Sequence, residues 1–122
     1  MQFLLRLFSY PYQMYSFFQR KVLFDIQDDD LVLDVGSGDK PFWRADVIAD
    51  KDTVDDAQRA SGSMLIDRNK LFIEADVENL PFKDKAFDFV FCAHLLEHVE
   101  HPDRAIKELT RVARRGYIEV PG

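Results

Sequence analysis

Residues 31–39, with the sequence LVLDVGSGD, constrain the fold more than any other part of the chain. An apolar run that leads into an acidic residue and two glycines is typical of a buried strand that breaks into a nucleotide- or phosphate-binding turn. Gly36 and Gly38 permit backbone angles and close ligand approach that a side chain would block. A simple tight turn has the same pattern, so the rest of the chain must distinguish the two.

Composition narrows the class of protein. The chain has 122 residues, 47% of them hydrophobic, which is enough for one domain with a real core. A net charge of -6 argues against a protein that binds nucleic acid through a broad basic face, and it favours a small-molecule partner. Cys92 is the only cysteine, so no internal disulfide can form and we expect a cytoplasmic location. No apolar run is long enough to cross a bilayer.

The N-terminal residues 1–30 differ from the rest in being aromatic-rich and, up to residue 24, basic without any acidic residue. Helical spacing of Met14, Phe18 and Val22 predicts an amphipathic helix there. We therefore treat 1–30 as a separate helical segment and 31–122 as the core domain. The segment could pack on the sheet, cover a pocket, form a dimer contact or lie on a membrane surface.

Strands and helices alternate along the core, which predicts an α/β fold. The predicted strands cover residues 31–35, 46–50, 71–75, 87–92 and 117–120. A short helix is expected over 53–62, and a longer one from Pro102 that is closed by Arg114, Arg115 and Gly116. The buried stripe of the longer helix is predicted to contain Ala105, Ile106, Leu109, Val112 and Ala113. The expected architecture is a Rossmann-like three-layer sandwich with a mostly parallel sheet in the order 3-2-1-4-5.

The first crossover is too short for an ordinary helix, because only about ten residues separate the first two strands. We expect Trp43, beside Phe42, to cover the bare sheet face at this point, and stacking on a ligand is the alternative role. Polar residues follow several strands at the carboxyl edge, where ligands of such sheets bind. These candidate site residues are Asp34, Asp50, Asp76 and His94.

With these motifs in place, the chain resembles the class I S-adenosylmethionine-dependent methyltransferases of the methyltransferase type 11 branch. The resemblance runs from residue 31 to 121 through the motifs LDVGSG, ADVENLPF, HLLEHV, ELTRV and GYIEVP. It implies S-adenosylmethionine as cofactor, with Gly36, Ser37 and Gly38 around its amino-acid part and Asp34 beneath them. It also implies that Asp50 accepts the ribose hydroxyls, that Asp76 and Val77 contact adenine, and that Ala93 and His94 line the far side.

The reaction implied is an in-line methyl transfer to an acceptor that the sequence does not identify. His94 is the candidate general base, since imidazole titrates near neutral pH. The chain departs from the family in lacking a third loop glycine and the last two of seven strands. The fifth strand is then expected to be an open edge, which predicts a homodimer or other assembly through that edge or the N-terminal segment.

Two alternatives remain at this stage. One is a truncated, non-catalytic methyltransferase-like module that binds a partner or regulates it. The other is a zinc hydrolase, because His94, Glu97 and His98 match an H-x-x-E-H pattern. A dehydrogenase is disfavoured because Pro41 stands where the dinucleotide fingerprint needs its third glycine.

Overall fold

The computed structural model describes residues 2–8, 25–38, 41–51 and 70–121. Within them lie six strands, one α-helix and a short 3₁₀ turn at Leu96–His98. The strands are β1 Gln2–Phe8, β2 Val32–Val35, β3 Val47–Asp50, β4 Leu71–Glu74, β5 Phe87–Ala93 and β6 Ala113–Pro121, and the helix is α1 Pro102–Val112.

The six strands form one sheet in the order β1-β6-β5-β2-β3-β4, and every neighbouring pair is parallel. The five strands predicted from the sequence are β2 to β6, and their order confirms 3-2-1-4-5. The described part of the first crossover, 36–38 and 41–46, contains no α-helix, in agreement with the prediction. The short helix predicted over 53–62 lies outside the described residues.

Strand β1 corrects the prediction for the N-terminal segment. Gln2–Phe8 pairs along its whole length with β6, from Arg115 to Pro121. The fifth predicted strand is therefore covered by the chain itself, and the open edge from which we expected a homodimer is absent from the described sheet. The predicted helix at Met14, Phe18 and Val22 lies outside the described residues.

Gly116 is where β6 needs a residue without a side chain. A Cβ at this position would lie 2.6 Å from the Val90 carbonyl oxygen and 2.7 Å from Phe3 Cε2. Because the nearest atom belongs to backbone of the neighbouring strand, it cannot move aside. Gly116 therefore allows β6 to pack between β5 and β1, and it does not end a helix as the sequence suggested.

The end of α1 explains that correction. The helix stops at Val112 and β6 begins at Ala113, so Arg114, Arg115 and Gly116 lie in the strand. Lys85 Nζ lies 2.7 Å from the Thr110 carbonyl oxygen and 3.1 Å from that of Ala113. A cation from another loop thus satisfies carbonyls that the helix end leaves unpaired.

Two apolar clusters flank the sheet. On one face α1 packs through Ala105, Leu109 and Val112, whereas Ile106 is 41% exposed and does not join the predicted stripe. On the other face Phe42 stacks on Phe91 with ring centroids 4.4 Å apart, and Phe91 stacks on Tyr117. Phe42 is the buried plug, while Trp43 is 60% exposed, which corrects the role predicted for Trp43.

Candidate functional site

The turn after β2 is shaped by two glycines in the left-handed region, Gly36 with φ +75° and Gly38 with φ +60°. The Gly36 amide donates to the Ala49 carbonyl at 2.8 Å, and the Gly38 amide donates to Asp50 Oδ2 at 2.8 Å. These bonds tie the turn to the carboxyl end of β3. The sequence therefore folds into a tight loop because its backbone donors meet β3 and its glycines tolerate positive φ.

Asp34 lies beneath this loop and is fully buried. Its Oδ2 accepts a 2.7 Å hydrogen bond from the Phe42 amide. Burial raises the pKa of Asp34 to about 7, and the Phe42 amide opposes that rise. The Ser37 side chain, whose Oγ is buried like Asp34 Oδ1, also opposes that rise in the pKa of Asp34.

A pocket of about 550 Å³ opens beside the loop. This volume lies in the range of small-molecule and cofactor sites. The β2 and β3 ends contribute Val35, Gly36, Asp50 and Lys51, and the loop after β4 contributes residues 75–78. The opposite wall consists of residues 95, 98–101 and 104.

The pocket brings together only some of the predicted cofactor-binding residues. Four of them line it: Gly36, Asp50, Asp76 and Val77. The other predicted residues, Asp34, Ser37, Gly38 and Ala93, do not line it. Asp34 and Ala93 are buried next to it, at the ends of their strands. The predicted base, His94, also stands outside the lining residues.

Asp76 is exposed and shapes its own loop. Its Oδ1 accepts the Glu78 amide at 2.9 Å, and its carbonyl accepts the Asn79 amide at 2.9 Å. Val77, by contrast, is 5% exposed and supplies an apolar surface to the pocket. A carboxylate beside an apolar wall suits a ligand that has both an aromatic face and polar edges.

An ion-pair network that the sequence analysis missed braces this loop. Arg111 of α1 donates to the Leu80 carbonyl at 3.0 Å and the Phe82 carbonyl at 2.6 Å. Glu108 accepts the Leu80 amide and pairs with Arg111, whose hydrogen bonds lower the Glu108 pKa. The motifs that carry the resemblance, ADVENLPF and ELTRV, are therefore held together in space.

At the ends of β5 and β6, His94 makes a second set of contacts. Its Nε2 lies 2.9 Å from Glu119 Oε2, and its amide donates to the Glu119 carbonyl at 2.7 Å. Tyr117 donates its hydroxyl to Glu119 Oε1. Glu119 and Tyr117 were not predicted as site residues, although a glutamate within the apolar run YIEV is an available signal of a buried polar group.

Metal binding gains no support. In the part of the chain that the structure describes, no three His, Cys, Asp or Glu side chains are grouped to hold an ion. His98 is exposed, with its side chain 75% accessible, and belongs to the 3₁₀ turn rather than to an α-helix. Zinc analysis of protein purified without a histidine tag tests this alternative directly.

No described helix has the length and apolarity needed to traverse a bilayer.

Comparison with known proteins places these features in a family. A family profile described as a methyltransferase domain matches residues 33–118. A ubiquinone/menaquinone biosynthesis C-methyltransferase, UbiE, of Pseudomonas putida (strain GB-1) is 39% identical over 69 residues, which cover 53% of this chain and 27% of that protein. The chain thus spans only a minor part of the length of that relative.

Solved structures agree on the fold. An S-adenosylmethionine-dependent methyltransferase from Aquifex aeolicus superposes with a TM-score of 0.60 at 24% identity, covering 86% of this chain and 63% of that one. The [4+2]-cyclase SpnF superposes with a TM-score of 0.60 at 26% identity, covering 82% of this chain and 40% of that one. The shared sheet carries the loop and strand ends described above.

Proposed function

The chain belongs to the methyltransferase domain family, a class I S-adenosylmethionine-dependent family, and from this premise we propose that it binds S-adenosylmethionine and transfers a methyl group. The observation that carries the proposal is the convergence of the glycine loop, Asp50 and the Asp76–Val77 turn on one pocket of about 550 Å³. S-adenosylmethionine, when bound, supplies an electrophilic methyl group on a sulfonium.

The residues present suit the parts of that cofactor. Asp34 Oδ1 and Ser37 Oγ are buried polar atoms beneath the loop, and an ammonium group is a donor that a carboxylate and a hydroxyl can accept. Asp50 already accepts the Gly38 amide, yet a carboxylate has room for about four hydrogen bonds, so it can also accept ribose hydroxyls. Val77 and Asp76 offer an apolar surface and a polar edge for adenine.

His94 is the residue that we assign as general base. It stands at the carboxyl end of β5, directly before Leu95, which lines the pocket. A base assists methyl transfer only if the acceptor must lose a proton. The name of the Pseudomonas relative includes C-methyltransferase, and this supports an acceptor carbon that carries a removable proton.

Calorimetry with S-adenosylmethionine and S-adenosylhomocysteine tests the cofactor proposal. We expect binding to the wild type and a loss of about 10- to 100-fold in affinity for Asp50→Ala, since hydrogen bonds to a charged group contribute about 1.5–3 kcal/mol. Asp29→Ala is the matched control, because Asp29 is an exposed turn residue outside the pocket lining. Its affinity should equal that of the wild type.

Two results would overturn the proposal. If the folded wild type binds neither compound, the pocket does not hold this cofactor. If Asp50→Ala binds as tightly as Asp29→Ala, the assigned ribose contact is wrong. Binding without methyl transfer to any acceptor would favour the alternative of a non-catalytic module, which retains the pocket but uses it for binding or regulation. A cytoplasmic location stays a prediction that cell fractionation can test. A homodimer stays a prediction that sedimentation of the purified protein can test.

A further inference from the structure

Glu119 is a charged residue in a place where the chain should have an apolar one. It is 3% exposed and stands in β6 between Ile118 and Val120. A buried carboxylate is costly unless hydrogen bonds or opposite charge compensate its lost hydration. Its partners therefore indicate what it does.

Both oxygens of that carboxylate are engaged. Tyr117, which is 2% exposed and shares a face of β6 with Glu119, donates its hydroxyl to Oε1. His94 Nε2 lies 2.9 Å from Oε2. The buried Tyr117 hydroxyl thus holds one oxygen of the Glu119 carboxylate. The other oxygen faces the His94 imidazole.

The backbone of His94 supports the same relation. His94 has φ +57°, a left-handed conformation that costs a non-glycine residue free energy. Its amide donates to the Glu119 carbonyl at 2.7 Å, so main chain and side chain are both tied to one residue of β6. A strained backbone conformation persists only where the surrounding structure enforces it, and such residues are common at functional sites.

We propose that Glu119, held by Tyr117, is a positioning residue that fixes the neutral His94 imidazole as the Nε2–H tautomer. Nδ1 is then the ring atom that carries the lone pair, and Glu97 Oε1 lies 3.9 Å from it. This inference rests on the proposed function, and it restricts the acceptor to molecules whose nucleophilic atom carries a proton.

The proton step follows from this tautomer. A proton leaves the nucleophilic atom of the acceptor and binds to the lone pair of His94 Nδ1, while the bonding electron pair stays on the acceptor. The imidazolium then has N–H groups at both nitrogens, and Glu119 continues to accept the one at Nε2. The acceptor atom that loses the proton must therefore reach Nδ1 of His94.

Proton and ¹⁵N NMR of histidine-labelled full-length protein tests the inference without any acceptor. We expect a downfield His94 Nε2–H resonance that exchanges slowly with water, and a ¹⁵N pattern of the Nε2–H tautomer. In Glu119→Gln, Tyr117 still donates to the side-chain carbonyl, so the amide group faces His94. That resonance should be lost and the Nδ1–H fraction should rise.

Glu100→Gln is the matched control, because Glu100 is exposed and its Oε1 lies 3.8 Å from His101 Nε2. We expect no change at His94 in this variant. A wild-type His94 that is mostly the Nδ1–H tautomer, or one whose Nε2–H signal survives unchanged in Glu119→Gln, would overturn the inference. The wild-type spectrum can overturn the inference even if Glu119→Gln does not fold.

The two proposals fail separately. Wild-type calorimetry with S-adenosylhomocysteine reports on the pocket, which Glu119 does not line. Binding together with the wrong tautomer would reject only the role of Glu119. The expected tautomer without binding would reject the cofactor proposal and leave a buried Tyr117–Glu119–His94 network of another purpose.

Discussion

The site has two sides that are built by different means. The pocket side is the glycine loop that borders the pocket together with Asp34 and Asp50, and it is organised by main-chain amides that donate to carboxylates and carbonyls. The histidine side, formed by His94, Tyr117 and Glu119, is organised mainly by side chains that bond to one another. Main-chain donors depend on loop shape, whereas the side-chain network depends on residue identity. Substitutions that alter the loop backbone should therefore affect the pocket side most, and substitutions that remove a hydrogen-bonding side chain should affect the histidine side most.

The largest effect is expected on the pocket side, at Asp34. Its folded pKa of about 7 lies above the value of 3.8 for an exposed aspartate. The folded state therefore holds a proton that the unfolded state releases, and the stability present below pH 4 is lost as the pH rises to 7. Asp34→Asn stays neutral, so its free energy of unfolding at pH 8 should exceed that of the wild type by on the order of 4 kcal/mol.

Urea denaturation at pH 4 and pH 8 measures this difference. The two proteins should have similar stability at pH 4, where both side chains are neutral. Parallel pH dependence in the wild type and Asp34→Asn would contradict the raised pKa. The Asn variant should also bind S-adenosylhomocysteine more weakly if the Asp34 carboxylate receives the ammonium group.

On the histidine side, Tyr117→Phe should lower the free energy of unfolding by about 1–3 kcal/mol, because it removes a donor from a buried carboxylate. Thr110→Val is a useful comparison, since the Thr110 hydroxyl bonds to carbonyls of its own helix near the surface. We expect it to change stability by less than about 0.5 kcal/mol. Equal effects in thermal denaturation would mean that Glu119 does not depend on Tyr117.

Gly36 and Gly38 offer a matched pair at the place where the two sides meet. Both have positive φ, but a Cβ at Gly36 would lie 2.5 Å from Leu95 Cδ2, while one at Gly38 would meet nothing within 4 Å. Gly38→Ala should cost about 1 kcal/mol from strain alone, and Gly36→Ala about 2 kcal/mol because Leu95 must also move. Leu95→Ala should recover part of the second loss, which a double-mutant cycle measures.

The smallest expected effect is a difference in stability between two His94 variants, and it arises from the backbone conformation rather than from the lost imidazole. Asn tolerates the left-handed region better than Ala, so His94→Asn should be more stable than His94→Ala by about 0.5–1 kcal/mol. Both remove the imidazole. Ala variants that are equally or more stable in denaturant would indicate that the left-handed backbone at this position is not retained.

The sequence predicted local features well and long-range pairings poorly. Strands β2 to β6 follow from apolar runs, and the start of α1 follows from Pro102. The end of α1 did not, because it depends on Lys85, which reaches its carbonyls from another loop. The pairing of β1 with β6 is equally non-local, and periodicity within a segment cannot reveal it.

The candidate site divides in the same way. The positions of Gly36, Asp50, Asp76 and Val77 in the pocket could be anticipated, because they follow strand ends in a recognisable order. The partners of His94 could not, since β5 and β6 bring Glu119 beside it only after the sheet forms. Likewise Phe42 rather than Trp43 covers the sheet, and the bond from the Phe42 amide to Asp34 is a contact that local sequence does not reveal.

The pairing of β1 with β6 has a consequence for the order of folding. Gln2 lies beside Arg115, so this contact joins residues that are 113 positions apart in the sequence. Contacts of such sequence separation slow folding, because the chain loses loop entropy before the contact can form. On the ribosome, β1 is translated before its partner β6 and must wait for it. Until then its unpaired edge is open to other chains, so chaperone dependence is expected to be greatest during synthesis.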